Sequence, residues 1–166
     1  MKSSVLSSAV FRQALGRFAT GVTVVTAERA PGQVHGMTAN SFTAVSLDPL
    51  LILVCVDEQA HMLGVLKNTP RFGVNVLKET QRSISEYFAL AEQDPEAERE
   101  LGIRFEWAPN GIPLLADALV QLTCTVVATH PAGDHTIFLA EVETADVFEG
   151  EPLLFFRANY RRIHPA

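Results

Sequence analysis

Cysteine is scarce in this chain: only Cys55 and Cys124 occur among its 166 residues. Both lie in apolar, strand-like runs, without the spacing of metal ligands and without a third ligating partner. We therefore expect both to be reduced, buried residues that pack in the core. The five histidines include no pair at the spacing that places two rings on one helix face. A metal site is therefore not expected.

Basic residues are also few and dispersed. The formal net charge is -6, and no Lys/Arg cluster precedes Arg161 and Arg162, which argues against nucleic acid as a partner. No apolar run approaches the roughly 18 residues that a membrane span needs. Residues 1–4 are not followed by the continuous apolar core of a signal peptide. We expect a cytoplasmic protein with no membrane partner.

Short apolar, β-branched runs dominate the chain. Its length suits one domain over residues 1–166, and 48% hydrophobic with 19% charged residues is a globular composition. The runs predict strands over 22–26, 34–38, 42–46, 51–56, 72–77, 119–129, 135–143 and 153–156. Because no βαβ rhythm appears, we expect a mainly β fold: a closed antiparallel barrel with helices packed outside.

Helical periodicity is confined to short stretches. Residues 8–19 predict a helix capped by Ser8, whose inner face would carry Phe11, Ala14, Leu15 and Phe18. A second helix is predicted over 60–68, and a third behind Thr80. The charged segment 92–104 predicts either a mobile flap or a solvated helix.

The most informative stretch is residues 36–49. It places small, hydroxyl and amide residues between two apolar segments. Such residues offer short donors and acceptors and leave the backbone accessible to a polar, flat ligand. The alternative is a Ser/Thr-rich turn that joins two strand ends.

Two further features could carry chemistry. His135 follows the turn residues Gly133 and Asp134 and opens an apolar strand, as a rim or core histidine or a catalytic one would. Residues 155–162 interleave aromatics with arginines, which suits either stacking on a nucleotide or a strand at a subunit interface. No nucleophile elbow, Cys-His pair or glycine-rich phosphate loop is present, which leaves reactions whose difficult step belongs to a bound organic cofactor.

Taken together, these blocks resemble the short-chain flavin reductase family, the reductase components of two-component flavin-dependent monooxygenases. The resemblance covers nearly the whole chain, in order, at residues 11–12, 15–26, 37–49, 71–77, 133–135 and 153–160. It implies a split β-barrel of the FMN-binding, Greek-key type with a few peripheral helices, assembled as a homodimer. It also implies oxidation of NADH or NADPH and release of reduced FMN or FAD, with FMN favoured, to a partner monooxygenase.

The resemblance also implies site residues. Those expected to contact the flavin are Met37, Thr38, Ala39, Asn40, Ser41, Ser46, Cys55, Val56, Asp57, His61, Tyr87 and Phe88. His135 is the candidate catalytic residue, and with Tyr160 and Arg161 it would meet the nicotinamide. It would orient the nicotinamide or donate a hydrogen bond rather than act as a general base.

One departure from the family pattern concerns the flavin phosphate. Many members carry Arg or Lys followed by Ser or Thr after the strand that matches 51–56, whereas this chain has His61 and Met62. Phosphate anchoring would then fall on Ser41, on the start of the 60–68 helix or on Lys67, so FMN, FAD and riboflavin all stay open. Two alternative functions also stay open: a non-catalytic flavin- or haem-binding split barrel, and a flavoprotein that reduces another acceptor.

Overall fold

The computed structural model describes residues 6–163, and within them the chain is mainly β, as predicted. The strands are β1 Thr20–Gly21, β2 Thr23–Ala30, β3 Gln33–Ala39, β4 Phe42–Leu47, β5 Leu50–Asp57, β6 Arg71–Val76, β7 Phe105–Trp107, β8 Pro113–Leu115, β9 Val120–Ala132, β10 His135–Val147, β11 Leu154–Phe156 and β12 Asn159–Arg161. The helices are α1 Ser8–Leu15, α2 His61–Asn68, α3 Arg82–Phe88 and α4 Pro95–Glu100, with a 3-10 turn at Glu79–Gln81 before α3.

Seven strands form one antiparallel sheet in the order β3-β2-β6-β9-β10-β5-β4. The predicted closure is wrong. Among the strands of residues 6–163, β3 pairs only with β2 and β4 only with β5, so ladder hydrogen bonds do not join the two edges. Asn40 and Ser41 alone connect these edges. Three Cα–Cα steps span about 11 Å at most, so the sheet must curl until its edges nearly meet at this point. The result is a split barrel that opens beside the polar stretch 36–49.

Two apolar clusters fill the fold. The larger one packs α2, through Met62, Leu63 and Leu66, against the inner face of the sheet. The smaller one packs the end of α3, through Tyr87 and Phe88, against the start of β2 and the loops beyond it. Each helix therefore lies beside β3, and the space between them becomes part of the site described below.

The N-terminal helix departs from its prediction. It ends at Leu15 and is capped by Ser7, whose Oγ accepts from the backbone N–H of Val10 at 3.3 Å. None of its residues is buried, and Phe11, Leu15 and Phe18 are 53%, 56% and 76% exposed. The predicted inner face is apolar, but no other part of residues 6–163 covers it.

The charged segment 92–104 contains a short solvated helix, the second of the two structures predicted for it. Asp94 caps α4 by accepting from the N–H of Glu96, and Pro95 occupies the first helical position, where its missing N–H costs nothing. No helix within residues 6–163 is both long enough and apolar enough to cross a membrane.

Candidate functional site

A cavity of about 300 Å³ lies between the edge strand β3, the start of α2 and the end of α3. We call it the β3 cavity. Its walls include five of the residues predicted to bind a ligand, which are Met37, Thr38, Asp57, His61 and Phe88. These residues come from four separate elements, so the fold and not the local sequence brings them together.

Gly36 and Phe88 form the tightest contact in the wall of this cavity. A Cβ built on Gly36 would lie 2.5 Å from two atoms of the Phe88 ring, so only glycine allows the ring to pack this closely against β3. The ring is held on its other sides by edge-on or tilted contacts with Tyr87 and Phe105, at centroid distances of 4.9 and 6.2 Å. Phe88 is therefore a fixed and almost completely buried part of the cavity wall.

Tyr87 belongs to the predicted set but does not line the β3 cavity. Its hydroxyl donates to the carbonyl of Asp94 at 3.0 Å and to Glu98 at 3.3 Å, which ties α3 to α4. Burial, together with the nearby Glu98 carboxylate, raises the pKa of Tyr87 to about 12. In this chain Tyr87 packs in the smaller core cluster, and Phe88 is the member of the pair that meets the cavity.

Ser41 and Cys55 bind each other at the sheet opening. The Ser41 hydroxyl donates to the Cys55 carbonyl at 2.9 Å, and the Cys55 N–H donates to the Ser41 carbonyl at 3.2 Å. Both backbone polar groups of Cys55 are thus already engaged. The neighbouring Val56 side chain is fully buried in the core, so only its backbone can approach a ligand.

The remaining predicted contacts lie on either side of the opening and not in the β3 cavity. Ala39 is buried at the end of β3, where its carbonyl accepts from the Thr23 hydroxyl at 2.7 Å. Asn40 is exposed between the two edges. Ser46 is half-buried on β4 and accepts from the N–H of Asp48 at 3.2 Å. Within residues 6–163 of the single chain, Asn40 and Ser46 are therefore not fully covered.

Two histidines that are distant in sequence meet at the mouth of the β3 cavity. The rings of His35 and His61 lie edge to face, with centroids 6.2 Å apart. Both also line a larger cavity of about 740 Å³, the outer cavity, which extends from β2 to α4. Sequence reasoning named His61 and missed His35, although His35 stands two residues before Met37.

His35 is almost completely buried at 9% exposure, yet its imidazole takes part in none of the hydrogen bonds found among residues 6–163. Burial, then the neighbouring His61 and Arg29, lower the pKa of His35 below its usual value. A neutral imidazole offers one donor and one acceptor. Gln93 was also missed: its side chain donates to the Gly36 carbonyl at 2.7 Å and so holds the segment before α4 against β3.

His135 opens β10 directly opposite Asp57 of β5, so the sheet register places it next to the β3 cavity. Its Nδ1 is 2.7 Å from the Asp134 carboxylate, and this hydrogen bond lowers the pKa of Asp134. The Glu58 N–H donates to the Asp134 carbonyl at 2.9 Å, which fixes the turn against the end of β5.

Tyr160 and Arg161 line a different cavity of about 390 Å³, the C-terminal cavity, beside α3. Arg82 and Arg162 also line it, but they are paired with carboxylates at 2.9 and 3.5 Å, whereas Arg161 has no ion-pair partner within residues 6–163. The structure therefore does not bring His135 into one cavity with Tyr160 and Arg161.

Chemically, the β3 cavity combines apolar walls with a few inward polar groups. Met37 and Phe88 supply apolar surface, while Thr38 and His35 supply a hydroxyl and an imidazole. Apolar walls with a few polar groups are typical of sites for small molecules and cofactors. Among residues 6–163 no three His, Cys, Asp or Glu side chains form a group that could hold a metal ion.

Comparison with known proteins gives consistent results. Residues 15–164 match the family model described as the flavin reductase like domain. An NADH-dependent flavin reductase from a Rhodococcus species is 46% identical over 154 residues, which are 92% of this chain and 84% of that protein. The reductase component of 4-hydroxyphenylacetate 3-monooxygenase from Thermus thermophilus is 38% identical over 92% of this chain and 95% of its own length. The solved structure of the flavin reductase PheA2 superposes with a TM-score of 0.87 at 41% identity, covering 96% of this chain and all of that one.

Proposed function

This chain belongs to the flavin reductase like domain family, and we propose that it is an NADH-dependent flavin reductase. It transfers a hydride from reduced nicotinamide to FMN or FAD and supplies the reduced flavin to a partner monooxygenase. The observation that carries the proposal is the β3 cavity, because it gathers Met37, Thr38 and Asp57 with Phe88 at the point where the barrel opens.

The residues present fit a flavin on two observations. The Phe88 ring, packed against Gly36, fixes part of the apolar wall of the cavity, and a side chain on residue 36 would displace it. The His35 imidazole, which takes part in none of the hydrogen bonds found among residues 6–163, lines the cavity and offers a donor and an acceptor. An isoalloxazine ring system needs both an apolar face and polar contacts at its edge.

We assign flavin binding to both sides of the opening. Beside the cavity residues, the proposed contacts are Ala39, Asn40, Ser41, Ser46, Cys55, Val56, His61 and Tyr87. Tyr87 would act mainly by fixing Phe88. Val56 would reach the ligand only through backbone atoms, since its side chain is fully buried. Cys55, whose N–H and carbonyl already bind Ser41, would act mainly by holding Ser41 at the opening.

The bound flavin supplies the two-electron acceptor, so no side chain of this chain has to change its redox state. The protein's share is orientation, which can lower a barrier by roughly 7–11 kcal/mol when the reacting groups are well aligned. Thr38 donates to the Ser85 carbonyl at 2.7 Å, which leaves its oxygen free to accept from a ligand. Burial lowers the pKa of His35, which favours its neutral form.

The cosubstrate is a dinucleotide, and two separate groups of residues suit its different parts. His135, next to Asp57, would orient the nicotinamide. Tyr160 and Arg161, which has no ion-pair partner within the described residues 6–163, would contact the adenosine and phosphate portions in the C-terminal cavity. An aromatic ring suits a flat base, and an arginine suits an anion.

We further propose a homodimer. The exposed face of α1 and the end of β4 carry large apolar side chains, among them Phe11, Leu15 and Leu47, the last at 87% exposure. A second copy would cover this surface and the flavin contacts left open at Asn40 and Ser46. Light scattering should give a mass near twice 18.1 kDa; an active monomer would contradict the proposal.

A cytoplasmic location is also proposed, because both cysteines are free thiols, the form that a reducing compartment maintains. The function itself is tested by NADH oxidation with and without added FMN or FAD. Oxidation that depends on flavin supports a reductase. Flavin binding without oxidation of NADH or NADPH would instead support a non-catalytic flavin-binding split barrel, and oxidation that needs a different acceptor would support a flavoprotein that reduces that acceptor.

A further inference from the structure

The Tyr160 side chain is held in place by α3. Its hydroxyl lies 2.9 Å from the Oγ of Ser85, a residue with no exposed surface. The guanidinium of Arg82, one turn earlier on the same helix, stands 5.2 Å from the centre of the Tyr160 ring. Phe155 contacts the ring edge-on at 5.4 Å. Tyr160 therefore forms a fixed wall of the C-terminal cavity.

The hairpin that carries Tyr160 is anchored mainly through its first strand. Strand β11 pairs with β1, and the Arg157 N–H in the turn donates to the Gly16 carbonyl at 2.8 Å. Within residues 6–163, β12 pairs only with β11, over three residues. The turn places Arg157 and Ala158 at φ of 53° and 58°, a left-handed conformation that residues with a Cβ adopt at a cost. On the outer strand β12, contacts with α3 therefore add directly to what fixes the Tyr160 side chain.

Ser85 also connects this hairpin to the β3 cavity. Its carbonyl accepts from the Thr38 hydroxyl at 2.7 Å, and its own hydroxyl meets Tyr160. One turn of α3 thus touches the wall of each cavity. The Ser85 side chain itself lines neither the β3 cavity nor the C-terminal cavity.

We propose that Ser85 is a positioning residue, which fixes Tyr160 through the hydroxyl–hydroxyl hydrogen bond and so shapes the NADH site. This inference rests on the proposed function, which assigns the C-terminal cavity to the dinucleotide. Ser85 acts through Tyr160 and touches no reacting atom. Its loss should therefore change the KM for NADH and leave both kcat and flavin affinity nearly unaltered.

The test is a double-mutant cycle of Ser85→Ala and Tyr160→Phe, each of which removes the same hydrogen bond from one side. A lost hydrogen bond between neutral groups predicts a rise in the KM for NADH of about two- to tenfold. The KM of the double variant should be no higher than that of the more affected single variant. The proposal would be overturned if the two substitutions raised the KM independently, so that their effects multiplied, or if Ser85→Ala left the KM unchanged.

A second readout does not depend on activity. Hydrogen exchange of residues 154–161 in the ligand-free protein should be faster in either single variant than in the wild type, since the hairpin loses its tie to α3. If Ser85→Ala does not fold, unchanged exchange in Tyr160→Phe overturns the proposal. A wild-type protein that fails to oxidise NADH overturns the proposed function, whatever the exchange shows.

Thr144→Val is the matched control. It removes another hydroxyl–hydroxyl bond, 2.8 Å long, between Thr144 and Thr123 in the β9–β10 hairpin. Thr144 is not among the residues that line the three cavities. The variant should lose stability with no change in the KM for NADH. If the KM of Thr144→Val rose as much as that of Ser85→Ala, the loss of any hydroxyl–hydroxyl bond would loosen the NADH site. That result would contradict a specific role for Ser85.

Discussion

Replacing Gly36 with alanine tests the contact that shapes the β3 cavity. The new Cβ would lie 2.5 Å from the Phe88 ring, well inside van der Waals contact. The ring is 2% exposed and is packed by Tyr87 and Phe105, so it cannot move away freely. Overpacking of this kind costs about 1–3 kcal/mol, which corresponds to a fall in Tm of about 2–12 °C for a chain of this size.

Flavin affinity should fall in the same variant, because the displaced ring forms part of the cavity wall. Thermal unfolding and a flavin titration measure the two effects. Gly64→Ala is the control for stability: it lies inside α2 with no atom within 4 Å of the added methyl group. Alanine in a helix interior is favoured over glycine by about 0.5–1 kcal/mol, so the Tm of Gly64→Ala should rise. Equal Tm values for Gly36→Ala and the wild type would refute the packing argument.

Three other predictions concern the site and the core. His135→Ala should raise the KM for NADH several-fold and spare flavin affinity; a tenfold loss of flavin affinity with unchanged NADH kinetics would contradict this assignment. Asn75→Ala should lower the free energy of unfolding in urea by about 2 kcal/mol or more, since buried Asn75 accepts from the Leu115 N–H at 2.8 Å and that donor would lose its partner. Hydrogen bonding from Thr125 holds the pKa of Glu143 below its usual value of 4.5. The ionised carboxylate therefore stabilises the fold at pH values above 4.5, and this stabilisation is lost as the pH falls through the lowered pKa. The Tm of Glu143→Gln should therefore fall less steeply in acid than that of the wild type, and parallel curves would contradict the network.

The sequence predicted most strands well, because β-branched runs mark them directly. The strand predicted over 51–56 corresponds to β5, Leu50–Asp57, and the one predicted over 72–77 corresponds to β6, Arg71–Val76. A strand was one of the two alternatives for residues 155–162, and β12 lies there, but its hairpin with β11 was not predicted. The turn contains Arg157 and Ala158 at positive φ, where glycine or asparagine would have been the signal. Strands β7 and β8 were missed because three-residue strands carry too little alternation to detect.

Alternation along β9 did not separate an inner from an outer face. Gln121 and Thr123 are buried, while Leu122 between them is only partly so. Gln121 is satisfied by the carbonyl of Leu115, to which it donates at 2.8 Å. That partner lies in strand β8, six residues away, and its position depends on the folded structure. Alternation of polarity therefore does not identify the buried face of β9, because tertiary contacts satisfy its buried polar groups.

The candidate site likewise has residues that the sequence pattern revealed and residues that it did not. The polar stretch 36–49 was recognisable because so many small and hydroxyl residues interrupt apolar runs. His35 and Gln93 were not, since their roles depend on packing between β3, α2 and the segment before α4. The exposed apolar face of α1 was misassigned to the core of one chain, because periodicity shows an apolar face but not what covers it.

Hydride transfer to flavin is the central claim, and anaerobic mixing tests it most directly. The protein, oxidised FMN or FAD and NADH are combined without oxygen, and the yellow absorbance of the oxidised flavin is followed with time. We expect this absorbance to disappear at a rate proportional to the protein concentration, with one NADH consumed per flavin. The disappearance should be slower when the transferred hydrogen is deuterium. Flavin that binds but keeps its oxidised spectrum in the presence of NADH and of NADPH would contradict the account.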